Sequence, residues 1–287
     1  MSLLQVIVLG IIQGLTELLP VSSSAHVVVA EKLMGMDPSA PEMTLLLVML
    51  HTGTMLAVIV FFWNRWRATL TEGRDGWKPY VLWLALATVI TGVIGEALIK
   101  LIEKVWFRNV PHSDVEMLFS HLELIAPALA LVGVLILIAG IFGKSSASAP
   151  NDGGLNASRA GLIGAVQGLC LPFRGFSRSG ATISTAILTG VEKKRAENFS
   201  FALAVILTPP AIAREALRLV KAEHANQGLA LHAAVGVSAV GLVCAFIAGM
   251  LALKWLSQWL EGGNWYWFGI YCLVAAAGVA YLHHAGY

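Results

Sequence analysis

The sequence predicts an all-α, polytopic membrane bundle of about six transmembrane helices plus two re-entrant helical hairpins related as an inverted repeat. Three observations predict it. The 287 residues are 57% hydrophobic and only 13% charged, with a mean hydropathy of +0.75, well above the apolar share of about 45–50% in soluble domains. Six apolar windows are long enough to cross about 30 Å of hydrocarbon. Two further apolar stretches are broken midway by Pro, Ser and Gly, and neither reads as one crossing.

In chain order, the first broken stretch covers 3–35, with its interruption at Leu19-Pro20-Val21-Ser22-Ser23-Ser24. Gln13 and Glu17 interrupt its apolar run and no basic segment precedes it, so it is expected to belong to the fold rather than to a cleaved signal peptide. Crossings follow near 43–63, 79–99 and 121–143. Gly143 to Ala157, rich in Ser, Ala, Gly, Asn and Pro, is expected to be a surface loop. The second broken stretch covers 159–190 and is interrupted from Pro172 through Gly180. Crossings near 199–219, 229–255 and 265–283 complete a single integral domain over 1–287, with repeat halves at about 1–143 and 158–287. Half-helix, turn, half-helix is the economical reading of each broken stretch. Irregular backbone survives at membrane depth only where protein or a wet cavity satisfies its polar groups.

The two broken stretches share a pattern. Gly10-Ile11-Ile12-Gln13-Gly14-Leu15 matches Gly164-Ala165-Val166-Gln167-Gly168-Leu169 at four of six positions. Each continues to Leu-Pro and then to a Ser-x-Ser, at Ser22–Ser24 and Ser177–Ser179. An odd number of crossings between the copies inserts them from opposite sides, the inverted-repeat device. One set of loops, with Arg65, Arg67, Arg74, Lys78, Lys144, Arg159, Lys193, Lys194, Arg195 and Lys254, is richer in cations. The positive-inside rule makes that set cytoplasmic. Trp63, Trp66, Trp255, Trp259, Trp265 and Trp267 are expected as interface anchors. Glu96, Glu123, Glu197 and Arg214 are expected to snorkel at span ends.

A net charge of +2 provides no field for nucleic acid. Cys170, Cys244 and Cys272 lack metal-type spacing and read as small buried apolar residues.

Chemistry concentrates in the two interruptions. A carboxylate inside an apolar helix costs about 2.5–3.5 kcal/mol on insertion scales, so Glu17 needs a partner. Gln13 lies four residues earlier on the same helix face. Ser22, Ser23 and Ser24 stand where a helix begins, a position for capping or for an anion, and His26 adds an acid/base group. The second interruption, Arg174-Gly175-Phe176-Ser177-Arg178-Ser179-Gly180-Ala181-Thr182, combines guanidinium forks, hydroxyls and glycines that let backbone N–H groups approach a ligand. That composition suits a phosphate cradle.

These residues resemble the undecaprenyl-diphosphate phosphatase family of bacterial integral membrane proteins, also called bacitracin-resistance phosphatases. Gln13 and Glu17 match its (Glu/Gln)-x-x-x-Glu motif. Gly175, Ser177, Arg178, Ser179 and Thr182 match its Pro-Gly-x-Ser-Arg-Ser-x-x-Thr motif. The departure is Arg174 where the Pro is expected. The resemblance implies a multi-pass protein of the bacterial inner membrane that converts undecaprenyl diphosphate to the monophosphate, with Mg2+ or Ca2+ as cofactor. It implies membrane lipid and a polyprenyl diphosphate as partners. A homodimer is compatible with the sequence, which does not decide oligomeric state.

On this reading Glu17, Ser23, His26 and Arg178 are the catalytic residues. Gln13, Ser22, Ser24, Arg174, Gly175, Ser177, Ser179 and Thr182 bind substrate, and Glu17 is the metal ligand. Ser23 as covalent nucleophile and direct attack by a metal-held water both fit these residues. The alternative function is an inverted-repeat transporter or flippase for an anionic or lipid-phosphate substrate. A second lipid-phosphatase signature, Ser-Arg-x5-His-x3-Asp, starts at Ser177-Arg178 but lacks its His and Asp.

Overall fold

The computed structural model describes residues 1–36, 40–71, 73–106, 122–143, 154–225 and 231–285. The expected surface connection at 144–153 lies outside these residues, as does Lys144 of the cytoplasmic charge set. Among the described residues the chain is all-helical, with ten helices. They are α1 (Leu3–Leu18), α2 (Ser23–Leu33), α3 (Pro41–Thr71), α4 (Gly73–Trp106), α5 (Leu122–Phe142), α6 (Ala157–Cys170), α7 (Arg178–Leu188), α8 (Lys193–Ala225), α9 (Leu231–Glu261) and α10 (Tyr266–His284). Six of them, α3, α4, α5, α8, α9 and α10, are long and apolar enough to cross a membrane. Several run past the apolar windows at polar ends, as α3 does through Arg65-Trp66-Arg67. Hydropathy marks the hydrocarbon layer, whereas backbone hydrogen bonding carries the helix on into the interface.

The remaining four helices are short. At 1.5 Å per residue, the 16 residues of α1 reach about 24 Å and the 11 of α2 about 16 Å, so neither crosses alone. Their ends have local causes. Ser2 and Gln5 form a reciprocal capping box at the start of α1. Pro20 excludes helical backbone at Leu19, which is extended with ψ 151°. Asn156 caps α6 by accepting from the Arg159 N–H at 3.0 Å. Ser177 caps α7 by accepting from the Gly180 N–H at 3.3 Å. Both broken stretches are therefore helix–turn–helix.

Helices from before residue 143 pack on helices from after residue 157. α1 lies on α9, α6 lies on α4, α3 meets α8, and α5 meets α10. Small residues permit the closest of these approaches. A Cβ on Gly14 would stand 2.6 Å from the Ala245 carbonyl oxygen of α9, and a Cβ on Gly164 would collide with the Ala87 carbonyl of α4. The Thr91 hydroxyl reaches the Gly164 carbonyl across that second seam at 2.9 Å. Gly14→Val is expected to destabilise the fold by about 1–3 kcal/mol through overpacking. Thermal unfolding in detergent reads this, and an unchanged Tm would mean that α1 and α9 are not in backbone contact.

Two sequence expectations are corrected. Trp265 is no interface anchor: it is 1% exposed and donates its indole N–H to Ser184 Oγ at 3.0 Å, tying α10 to α7. Trp63, 58% exposed, does face outward. Glu197 does not snorkel. Its side chain is fully buried, paired with Arg65 at 3.0 Å and accepting from the Ser257 hydroxyl. A span-end position in sequence does not specify which face of the helix a residue occupies, and the cation that compensates Glu197 comes from another span.

Candidate active site

Glu17 lies on the last turn of α1 with its side chain 15% exposed. Its Oε1 accepts from Arg178 Nη2 at 2.9 Å. Its Oε2 accepts from Ser23 Oγ at 2.5 Å and from Gln13 Nε2 at 3.2 Å. His51 of α3 brings Nε2 to 4.0 Å of the same oxygen. A carboxylate in apolar surroundings is stable when both oxygens are bonded and an opposite charge is close. Here the partners come from its own helix, its own turn, a neighbouring span and the opposite half of the chain.

The two interruptions meet directly. Ser179 donates to the Leu19 carbonyl at 3.4 Å, and the Gly175 N–H donates to Ser24 Oγ at 3.4 Å. Gly175 has φ +98°, and a Cβ there would lie 2.6 Å from the Ile125 carbonyl oxygen of α5. Glycine is therefore required twice over, by conformation and by space. Arg178 is the first residue of α7, so its guanidinium and the free N–H groups of that helix end lie together. A small hollow opens between α1, α3, α7 and α8. Glu17, Thr54, Arg178 and Thr208 give it polar groups, and Val58 and Phe201 give it apolar wall.

The other expected residues surround this centre. Ser22 is buried, and it is the one non-glycine among the described residues with positive φ, at +66°. For a serine this is strained backbone of the kind found at functional turns. Its hydroxyl lies 3.3 Å from Ser24 Oγ and makes no capping bond. The capping expected of the serine run therefore falls away at Ser22, and the Ser23 hydroxyl is turned to Glu17 instead. His26 bonds outside the Glu17–Arg178 cluster: Nδ1 lies 2.8 Å from the Ser22 carbonyl, and Nε2 lies 2.7 Å from the Tyr271 hydroxyl of α10. Since a carbonyl only accepts, Nδ1 carries the proton and Nε2 faces Tyr271 as acceptor. Ser177 is buried in its capping role. Thr182 is fully buried, 2.8 Å from the Arg178 carbonyl and 2.5 Å from Ser200 Oγ, behind Arg178 and not on the hollow.

The chain matches the family described as bacitracin resistance protein BacA over residues 6–278. The chain belongs to the BacA family. It is 55% identical to "Undecaprenyl-diphosphatase 2" of Acinetobacter baylyi over 95% of this chain and 95% of that protein. It is 34% identical to "Undecaprenyl-diphosphatase 1" of Burkholderia pseudomallei over 96% of this chain and 95% of that protein. It is 35% identical to "Undecaprenyl-diphosphatase 2" of Burkholderia ambifaria over the same shares.

The motif stretches that carry Gln13 with Glu17 and Gly175 with Arg178 thus meet, and Glu17 and Arg178 line one hollow. His51, Thr54 and Tyr271 join them without belonging to either motif. A histidine inside the 43–63 window was a legible signal, because ionisable groups within spans are rare and functional by default. The two broken stretches differ at this point. Gln13 bonds Glu17, but its counterpart Gln167 is fully buried with neither amide atom hydrogen-bonded among the described residues. The position four residues on is Leu171, which has no polar group to offer.

For a divalent cation, no group of three or more His, Cys, Asp or Glu gathers among the described residues. Mg2+ is commonly held by one or two carboxylates together with substrate phosphate oxygens. Glu17 beside an open hollow fits that mode, and an all-protein cage does not.

Proposed function

We propose that this chain hydrolyses undecaprenyl diphosphate to undecaprenyl phosphate and inorganic phosphate at the bacterial inner membrane, recycling the lipid carrier for cell-wall synthesis. The observation that carries this reading is the hydroxyl of Ser23 bonded to Glu17, which is itself paired with Arg178. Nucleophile, base and cation thus stand in contact at a hollow with one apolar wall. The geometry suits a diphosphate head whose isoprenoid tail remains in lipid.

The terminal phosphate enters by drawing Arg178 from Glu17, so that the guanidinium spans phosphate oxygens as a fork. Free N–H groups at the start of α7 add to the cradle. Ser23 Oγ attacks the terminal phosphorus as its proton passes to Glu17. The Oγ–P bond forms, the bridging P–O bond breaks, and undecaprenyl phosphate leaves. Glu17 releases that proton to the departing monophosphate; water then attacks the phosphoserine, the ionised Glu17 takes a proton from that water and returns it to Ser23 Oγ as the Oγ–P bond breaks, and phosphate departs with the serine hydroxyl restored. His26, three residues after Ser23 on α2, manages the proton on the leaving side, with Tyr271 setting its ring orientation. A divalent cation held by Glu17 and the diphosphate would neutralise charge on both phosphates.

The two halves, about 1–143 and 158–287, are read as inverted repeats in one domain. The exchange of partners, α1 onto α9 and α6 onto α4, supports this reading. A carrier built on the same repeats would release no phosphate.

Phosphate release from undecaprenyl diphosphate by the purified chain in detergent is the primary test, and absence of release would overturn the hydrolase reading. Chelation of divalent cations is expected to abolish turnover and added Mg2+ or Ca2+ to restore it. Rapid quench is expected to trap phosphate on Ser23, and Ser23→Ala to remove that species. Turnover by Ser23→Ala at the parental rate, with label from water entering phosphate in one step, would favour direct water attack.

A further inference from the structure

The hydroxyl of Thr182 is turned away from the hollow and committed elsewhere. It lies 2.8 Å from the Arg178 carbonyl and 2.5 Å from Ser200 Oγ of α8. A carbonyl only accepts and a threonine hydroxyl carries one proton, so Thr182 donates to Arg178 and Ser200 donates to Thr182. The two hydroxyls form a directed chain from α8 to the backbone of the arginine that moves onto phosphate. Each bond in such a chain polarises and strengthens the next. Thr182 is 0% exposed and Ser200 3%, so water does not compete for either hydroxyl.

Ser200 stands on a firmly held stretch of α8, in which every residue from Ala196 to Ala204 is buried. Glu197, three residues earlier, is bonded to Arg65 of α3 at 3.0 Å and to the Ser257 hydroxyl of α9. Phe201 stacks on Phe62 of α3 with ring centroids 5.2 Å apart, and Phe199 meets Tyr80 of α4 edge-on at 5.9 Å. Three spans thus fix α8 at this level. α7 differs: it has 11 residues and follows directly on the second interruption. Its first turn carries Arg178, and a small displacement there would spoil the alignment of the guanidinium with phosphate. Side chains tie that turn to other elements at two points, Ser179 to the Leu19 carbonyl at 3.4 Å and Thr182 to Ser200. The second contact is much the shorter.

We propose that Ser200 is a positioning residue for the hydrolysis: through Thr182 it ties the first turn of α7 to the fixed stretch of α8. The Arg178 backbone is then held still while its guanidinium passes from Glu17 to the substrate phosphate. Thr182 serves the phosphate through Arg178 and not by contact.

The test uses the full-length protein with Ser200→Ala, Thr182→Val and the two combined, read by phosphate release from undecaprenyl diphosphate and by thermal unfolding. Ser200→Ala is expected to lower kcat by roughly tenfold with KM within about twofold of the parent, and Tm by about 3 °C. Thr182→Val breaks the same chain at its middle, so the double variant is expected to lose no more kcat than Thr182→Val alone. Thr182→Ser, which restores the hydroxyl, is expected to recover most of the kcat that Thr182→Val loses. Ser184→Ala is the structural control: it removes another buried α7 hydroxyl, the one bonded to Trp265, and is expected to lower Tm while kcat stays within about twofold. Parental kcat in folded Ser200→Ala would overturn the proposal. So would kcat losses that multiply in the double variant, or a kcat loss in Ser184→Ala as large as that in Ser200→Ala. If Ser200→Ala does not purify folded, Ser200→Cys keeps the volume with only a weak donor and is read by the same criteria. The kinetic arm rests on the hydrolase reading. A parent that releases no phosphate would defeat that reading, whereas phosphate release with an unaltered kcat in Ser200→Ala would defeat this proposal alone.

Discussion

Arg178→Ala is expected to lower phosphate release by about a thousandfold or more, in line with the loss of an arginine that stabilises transferring phosphoryl charge, while the protein still purifies folded. The guanidinium is the cation bonded to Glu17, at 2.9 Å, and it stands at the start of α7 facing the hollow. Charge on the transferring phosphate grows in a water-poor site, where a fixed cation has its greatest effect. Arg178→Lys is the informative companion. It keeps the charge but loses the planar fork, so an intermediate loss is expected. Turnover of purified Arg178→Ala near the parental rate would remove the cradle from the mechanism. A drop in KM-controlled binding alone, with kcat intact, would reassign Arg178 to substrate capture.

Glu17→Ala is expected to be comparably severe, a loss of roughly a thousandfold or more in kcat, since nucleophile activation and phosphate binding both pass through this carboxylate. Ser23 would lose the acceptor of its 2.5 Å hydrogen bond, and Arg178 would lose its anion before substrate arrives. Glu17→Gln separates these effects. The amide keeps a hydrogen bond to Ser23 and much of the shape but cannot take a proton, so a large kcat defect with near-parental Tm is expected. The pair of single variants should not be additive, because each disables the same unit. Phosphate release by Glu17→Gln within a few-fold of the parent would mean that another group removes the proton. His51, 4.0 Å away, would then be the residue to test.

Much of this architecture is legible in the sequence. Hydrocarbon thickness forces crossings of a characteristic length, and the six apolar windows correspond to the six long helices. Proline and serine in the middle of two apolar stretches leave backbone that cannot continue as helix, and both stretches fold as helix–turn–helix. Glu17 stood out because a lone carboxylate in such a segment requires compensation, and the arginine-bearing interruption was the natural source. Less legible were the roles within each turn. Thr182 sits in a phosphate motif yet is buried behind Arg178. Span-end positions predict Trp265 and Glu197 at the interface, whereas packing turns both inward.

The division follows from the range of the forces involved. Hydropathy and backbone conformation act along the chain, so residue order by itself determined a multi-pass helical protein with two interrupted segments. Ion pairs and hydrogen bonds between helices depend on rotation and depth, quantities that a run of uniformly apolar residues leaves unspecified. Only the tertiary structure could therefore decide that Glu17 meets Arg178 across 161 positions, that His51 approaches the same carboxylate, that Tyr271 holds His26, and that Glu197 pairs with Arg65.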